Sequence, residues 1–329
     1  MISTDLLDRA RGSLAGLAVG DALGRPVEGM SAQDIREQFG SVSDFVNMTP
    51  GGSDDTEYAL LTASAILKYG KDITTDQFAD FWIEQVCPQT QAFAGAGFSE
   101  MNAIQNLRDG LRPPFSGQHN HSWSDGLAMR VAPCGIISAG DYESAKRLAI
   151  ADGMVSHSGE GIHSGVVIAV AIAAAMNGSN ASKVFDDACR AIPVDSWTYR
   201  SMSDVRKIVI EQRHLPKSEL ADLLLQKVAV VDYFYADLAP EAVSLAMAAV
   251  LYGAGDYVET LLFSVNLGRD ADTIAAMAGA VAGAMSGYKA IPENWKKAVI
   301  TVGGTCLQFA KGLNPYTLAE QLISLKGEE

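Results

Sequence analysis

The chain has 329 residues, 48% of them hydrophobic and 19% charged, with a formal net charge of -14. That length and apolar content can bury a large core and exclude a disordered chain. The negative balance excludes the simple electrostatic route to nucleic acid or an anionic membrane, since both need a basic face.

Helical spacing runs from end to end, and no alternating strand of five or more residues is bounded by turn signals. The first helix carries Leu7, Ala10, Leu14, Leu17 and Ala18 on one stripe, with Asp5 as its cap. Gly12, Gly16 and Gly20 recur every four residues, leaving one side bare enough for another backbone to approach, and Gly24-Arg25-Pro26 ends the helix. Periodicity then predicts helices over 31–39, 55–69, 76–86, 99–109, 126–139, 141–151, 159–177, 180–191, 203–213, 217–233, 240–252, 256–267, 271–287, 293–310 and 316–325. Gly70, Gly178, Pro193, Pro216, Pro240 and Pro292 supply the stops. The one long irregular stretch, Asp109 to Asp125, reads either as a functional lid or as a simple loop.

The longest apolar runs, Val166 to Met176 and Ile274 to Met285, fall well short of the roughly 20 residues a membrane helix needs. Met1-Ile2-Ser3-Thr4-Asp5 lacks the basic-then-apolar order of a signal peptide. Cys87, Cys134, Cys189 and Cys306 are far apart and form no C-x-x-C pair, as expected of small buried thiols in a reducing compartment. The expectation is a cytoplasmic, all-α protein whose residues 1–329 form a single domain.

Two acidic-hydroxyl clusters stand at the mouths of apolar helices: Ser53-Asp54-Asp55-Thr56 before Ala59 to Leu67, and Asp270-Ala271-Asp272-Thr273 before Ile274 to Met285. A single cluster of this kind is ordinary capping, because Asp satisfies a helix N-terminus and complements its dipole. The doubling is what points further. Each cluster holds more carboxylates and hydroxyls than a cap uses, and Gly51, Gly52 and Gly268 allow tight turns ahead of them. If the two clusters meet, like charges oppose joint ionisation in a low-dielectric place, and two divalent cations would neutralise the set. Hard oxygen ligands suit Mg or Mn rather than Zn.

Three further segments are Gly16-Leu17-Ala18-Val19-Gly20-Asp21-Ala22-Leu23-Gly24 with Pro26 and Glu28, Asp125-Gly126 with Met129-Arg130-Val131-Ala132-Pro133, and His157 ahead of an Ala-rich helix. In this order, with the acidic clusters, the chain from about Arg11 to about Trp295 resembles the ADP-ribosylglycohydrolase family, including the dinitrogenase-reductase-activating glycohydrolases and the vertebrate ADP-ribosyl-acceptor hydrolases. The resemblance implies an all-α fold with two Mg or Mn ions at the end of a cleft. Ser53, Asp54, Asp55, Asp270, Asp272 and Thr273 match the metal ligands. Glu28 matches a glutamate near the entrance that assists catalysis, with Asp55 and Asp270 the other candidates for proton transfer. Asp125, Met129, Arg130, His157 and Arg269 match segments beside the ribose and phosphates. The implied substrate is an ADP-ribosylated protein side chain or a small ADP-ribose conjugate, hydrolysed at the anomeric carbon with metal assistance.

The chain departs from the family pattern at three positions. Ser53 stands where Thr is usual and keeps the hydroxyl, while Asp125 replaces a common Asn and puts another negative charge near the phosphate path. Arg269 replaces a common Gly; its guanidinium would pair with phosphate or Asp125, or narrow the pocket. These changes keep two alternatives open: a metal-dependent hydrolase of a different nucleoside-like glycoside, and a catalytically silent binding homologue. Arg130, a cation in apolar company, needs an anion, with phosphate, Asp21 or Glu28 as candidates. His119 and His121 read as surface loop histidines, His163 as solvent-facing, and Glu160 as a first-turn charge for its helix.

Overall fold

The computed structural model describes residues 3–46, 52–233 and 235–327, so Gly51 lies outside the described residues. Sixteen α-helices run through them. The first eight are α1 (Thr4–Gly24), α2 (Ala32–Phe39), α3 (Asp54–Tyr69), α4 (Thr75–Gln85), α5 (Phe98–Arg108), α6 (Ala132–Ile137), α7 (Tyr142–Gly153) and α8 (Glu160–Met176). The rest are α9 (Ala181–Arg190), α10 (Trp197–Gln212), α11 (Lys217–Val228), α12 (Ala239–Gly253), α13 (Tyr257–Val265), α14 (Ala271–Ser286), α15 (Glu293–Ala298) and α16 (Pro315–Lys326). The described residues contain no strand, only isolated bridges between Ser31 and Gly268 and between Ser124 and Leu238. The fold is all-α, as the periodicity predicts.

Helix α1 is capped by Ser3, whose hydroxyl accepts from the Leu6 N–H at 3.1 Å, and not by Asp5, which pairs with Arg9 one turn on. The bare glycine side of α1 lies against α14. Gly12 faces Gly283, Gly16 faces Gly279, Gly20 faces Ala275, and Gly24 faces Ala271 and the Cα of Asp272. A β-carbon at Gly16 would collide with the Gly279 carbonyl, and one at Gly279 with the Gly16 carbonyl, so the two backbones touch where side chains would keep them apart. Helices α8, α12 and α14 are apolar on nearly every side and form the centre of the molecule, with Val166 to Met176 buried throughout. No helix among the described residues is long and apolar enough to cross a membrane. All four cysteines are free, Cys134 and Cys306 fully buried.

Helix ends differ from the sequence reading where a distant carboxylate claims the backbone. The predicted helix over 293–310 stops at Ala298, because the N–H groups of Thr305, Cys306 and Leu307 all donate to the buried carboxylate of Glu57 on α3. The helix expected from 203 begins at Trp197, where Glu160 accepts from the Trp197 and Thr198 N–H groups and the Thr198 hydroxyl. Glu160 therefore caps a second helix besides lying in the first turn of its own. The segment expected as helix over 126–139 is helical only in α6, because Gly126 is pressed against Glu100 and Pro133 fixes a fresh start. Helix α11 ends at Val228, and the Val230 N–H turns to Glu241 at 2.7 Å.

Replacing Gly16 or Gly279 by Ala is expected to lower stability by about 3 kcal/mol, the upper range for overpacking a core; an unchanged thermal midpoint would show that the two helices are free to separate. Folding lowers the Glu160 pKa from 4.5 to about 2, because the His163 imidazole 3.7 Å away and the hydrogen bonds from Thr198 and Trp197 together outweigh burial. Its contribution is complete above the unfolded pKa and vanishes as pH falls from 4.5 towards 2. Glu160→Gln should accordingly cost ~1–2 kcal/mol near pH 7, less than the full conversion because water reaches part of the group, and almost nothing near pH 2. Parallel denaturant titrations of both proteins across that range read the difference directly.

Candidate active site

The close approach of α1 and α14 sets Asp21 beside Asp272, and α3 delivers Asp54 and Asp55 to the same place. Asp21 is fully buried and is the hub. It accepts from the Ser53 N–H at 2.6 Å, the Ser53 hydroxyl at 2.8 Å, the Thr56 N–H at 3.1 Å and the Thr56 hydroxyl, so it ties the start of α3 to the flank of α1. Oxygens of Asp21, Asp55 and Asp272 lie within 4.8 Å of one another, as do those of Glu28, Asp270 and Asp272, which makes Asp272 common to both groups. The Thr273 N–H donates to Asp272 at 3.1 Å. Asp54 faces the neighbouring turn at Gly95, where a β-carbon would press on its Oδ1.

Electrostatics at this floor run against ionisation. Burial, then repulsion from Asp21 and from other acids, pushes the carboxyls of Asp54 and Asp55 well above the usual range. Burial and then Asp270 do the same to Asp272, and burial lifts Asp270 to about 6. Asp21 rises less steeply against its four donors, and Glu28, exposed as a residue but with its carboxyl partly desolvated against the floor, is raised in spite of Arg25. One buried oxygen, Asp55 Oδ1, has no hydrogen-bond partner. Clustered carboxylates with an orphaned oxygen, two hydroxyls in reach and no imidazole or thiolate among them form a donor set that fits a hard divalent cation.

Above the floor opens a cleft of about 340 Å³. Its walls include Glu28, Asp54, Asp55, Glu100, Asp125, Asp237, Asp270 and Asp272, with Gly95 to Phe98, Met129 and Tyr235. The backbone of Arg269 fastens the Glu28 turn to the floor: Arg269 N–H donates to Met30 O at 2.8 Å and Gly29 N–H donates to Arg269 O at 2.8 Å. Arg269 itself holds a left-handed conformation at φ 61°. Its guanidinium pairs with Glu241 at 2.6 Å, so the expected partnership with Asp125 is not formed: Glu241, reaching in from α12, is the nearer buried anion.

The structure brings Glu28, Asp54, Asp55, Asp125, Met129, Arg269, Asp270, Asp272 and Thr273 to the cleft wall, with Ser53 just beneath. Two expected substrate contacts lie behind it. Arg130 is fully buried, pairs with Glu100 and Asp152 at 3.1 Å each, donates to Ser156 and stacks on Trp82 at 5.0 Å. Its anions in the fold are Glu100 and Asp152, not Asp21 or Glu28, and the pairing fixes Glu100 at the wall. His157 is also buried, between the hydroxyls of Ser124 and Ser156, with burial and then Arg130 keeping it neutral by lowering its pKa well below the usual value. His121 is not a solvated loop histidine: its Nε2 sits 2.7 Å from Asp237 Oδ2, and the Tyr233 hydroxyl is 3.2 Å from its Nδ1. Glu100, Asp237 and Glu241 were invisible to sequence reasoning. Asp21 did leave a signal, a lone acid inside the otherwise apolar run Leu14 to Leu23.

The structure is thus an all-helical scaffold whose cleft is floored by the first turns of two helices. The chain belongs to the ADP-ribosylglycohydrolase family, whose model matches residues 2–326. It is 31% identical to an uncharacterised protein of Archaeoglobus fulgidus, over 88% of this chain and 90% of that one. It is 28% identical to the ADP-ribosylarginine hydrolase Tri1 of Pseudomonas putida, over 89% and 74% of the two chains. A solved ADP-ribosylglycohydrolase-related protein complex superimposes with a TM-score of 0.67 over 99% of each chain at 23% identity, which supports the shared fold.

Adding Mg2+ or Mn2+ to metal-stripped protein is expected to raise the thermal midpoint by several degrees, about 2.7 kcal/mol at a hundredfold excess over Kd. Asp55→Asn and Asp272→Asn should melt at or above the stripped wild type, because each removes a repelled charge, and both should lose most of the response to added cation. Calorimetry with and without chelator distinguishes these effects.

Proposed function

We propose that the chain hydrolyses the bond between the anomeric carbon of an ADP-ribosyl group and its acceptor, with two divalent cations, Mg2+ or Mn2+, held by Asp54, Asp55, Asp270, Asp272, Ser53 and Thr273 together with Asp21 and Glu28. The observation that carries this reading is the pair of three-carboxylate groups sharing Asp272 at the end of a cleft. When bound, such cations orient ribose hydroxyls and lower the pKa of a coordinated water towards neutrality.

Asp21, besides offering an oxygen to the cation set, fixes Ser53 and the start of α3 so that Asp55 lies beside Asp272. Asp55 and Asp270, both lining the cleft, take a proton from an attacking water in this reading, and the surrounding carboxylates favour positive character at the anomeric carbon as the bond breaks. Glu28 is exposed at the rim with a carboxylate oxygen within 4.8 Å of those of Asp270 and Asp272, so it links the floor to solvent and can pass a proton to the departing acceptor. Met129, Phe98 and Tyr235 supply the apolar part of the wall against the substrate. The acceptor is an ADP-ribosylated side chain or a small ADP-ribose conjugate; the named activity of the Pseudomonas relative is on ADP-ribosylarginine.

A second reading, hydrolysis of a nucleoside-like glycoside without a diphosphate, is favoured by one feature: the only guanidinium lining the cleft among the described residues, that of Arg269, is already bound to Glu241. Assaying ADP-ribosylarginine and free nucleosides side by side with added Mn2+ decides between them. Asp270→Asn and Asp55→Asn are expected to abolish turnover, and Glu28→Gln to lower kcat by ~10²-fold, the low end for loss of a general acid or base. Undiminished hydrolysis by Asp270→Asn, with helical circular dichroism unchanged, would overturn the reading.

A further inference from the structure

One wall of the cleft carries more negative charge than the floor accounts for. Asp125 is 3% exposed, yet its Oδ2 is buried without a hydrogen-bond partner, and Oδ1 of Asp237 is in the same condition. The two residues are held together by backbone: the Asp125 N–H donates to Asp237 O at 3.0 Å, the Ala239 N–H to Trp123 O at 3.0 Å, and Ser124 bridges to Leu238. Both line the cleft. Neither belongs to the groups of carboxylates that converge at the floor.

Every positive group nearby is spoken for. His121 engages only Oδ2 of Asp237, Arg269 is paired with Glu241, and Arg130 is buried between Glu100 and Asp152. No lysine lines the cleft among the described residues. An ionised carboxylate accepts and never donates, so the two orphaned oxygens call for a donor or a positive charge, and leaving them bare is costly at this depth.

We propose that Asp125 and Asp237 form a cation-binding subsite, separate from the acidic floor, which fills when substrate enters. Two sources share that chemistry. One is a divalent ion held by two carboxylates and completed by the diphosphate of the substrate, a common arrangement for Mg2+. The other is a guanidinium carried by the acceptor, gripped by paired carboxylate oxygens. The diphosphate source rests on the ADP-ribosyl reading above, whereas the guanidinium source does not.

The test uses the full chain saturated with Mn2+ at the floor. Calorimetry and Mn2+ electron paramagnetic resonance measure the additional Mn2+ taken up on adding ADP-ribose, and a separate titration measures binding of agmatine, a simple guanidinium probe. Uptake of one further ion, or agmatine binding, weakened at least tenfold in both Asp125→Asn and Asp237→Asn, supports the subsite and identifies its source. Wild type and both variants behaving alike towards both probes would mean an acid pair that merely shares a proton, and the inference falls. Tighter ADP-ribose binding by Asp125→Asn with no extra ion in the wild type, and no agmatine binding, overturns it equally. Failure of the wild type to bind ADP-ribose at any Mn2+ concentration, with agmatine bound in an Asp125-dependent way, would keep the subsite and remove the ADP-ribosyl reading instead. Unchanged Mn2+ binding at the floor and an unchanged melting curve show that each variant is folded.

Discussion

The contact on which the rest depends is the one between two backbones. Helices α1 and α14 meet through glycine and alanine at successive turns, Gly12 on Gly283, Gly16 on Gly279 and Gly20 on Ala275. At the end of this seam, Gly24 lets the Cα of Asp272 come in beside α1, and so sets it near Asp21. A single methyl group along the seam would separate the helices, and the carboxylates at its end would no longer share a site. Packing in the core and chemistry in the cleft are in this way the same geometric fact.

The floor works against the stability of the fold that carries it. Buried acids repel one another and resist ionisation, and no basic side chain among the described residues pairs with Asp54, Asp55 or Asp272. Part of the opposition is offset by helix N-termini: Asp54 and Asp55 open α3, Asp270 stands at the residue before α14 and Asp272 lies in its first turn, where the dipole favours negative charge. The hydroxyls and N–H groups of Ser53 and Thr56 offset more of it at Asp21. What is left over, with Asp55 Oδ1 unpartnered, is a donor set of the kind that fits a hard cation.

Carboxylates organise this protein elsewhere too, and there they organise backbone. Glu57 gathers three N–H groups of the segment after α15, Glu160 starts α10, and Glu241 both ends the α11 connection and holds Arg269. Each of these is a long-range contact in which an acid satisfies donors that helix geometry leaves open. The helix boundaries that periodicity misjudged, around 126, 197, 228 and 299, lie at or beside such contacts. Local patterns carry no trace of a partner far away in the chain.

The sequence by itself determined the helices, because their apolar stripes and glycine or proline stops are local, and it determined the two acidic clusters, because excess acids and hydroxyls at a helix start exceed what capping needs. Its four-residue glycine spacing also announced that some backbone would come close to α1. Only the tertiary structure decided which backbone that was, that Asp21 is the hub of the floor, that Arg130 serves Glu100 and Asp152, and that Arg269 turns to Glu241 instead of Asp125. The physical reason is common to all of these. A charge states its need for a partner in the sequence, but the partner is chosen by which groups the packed helices bring within a few ångströms, and that choice is made by the whole fold.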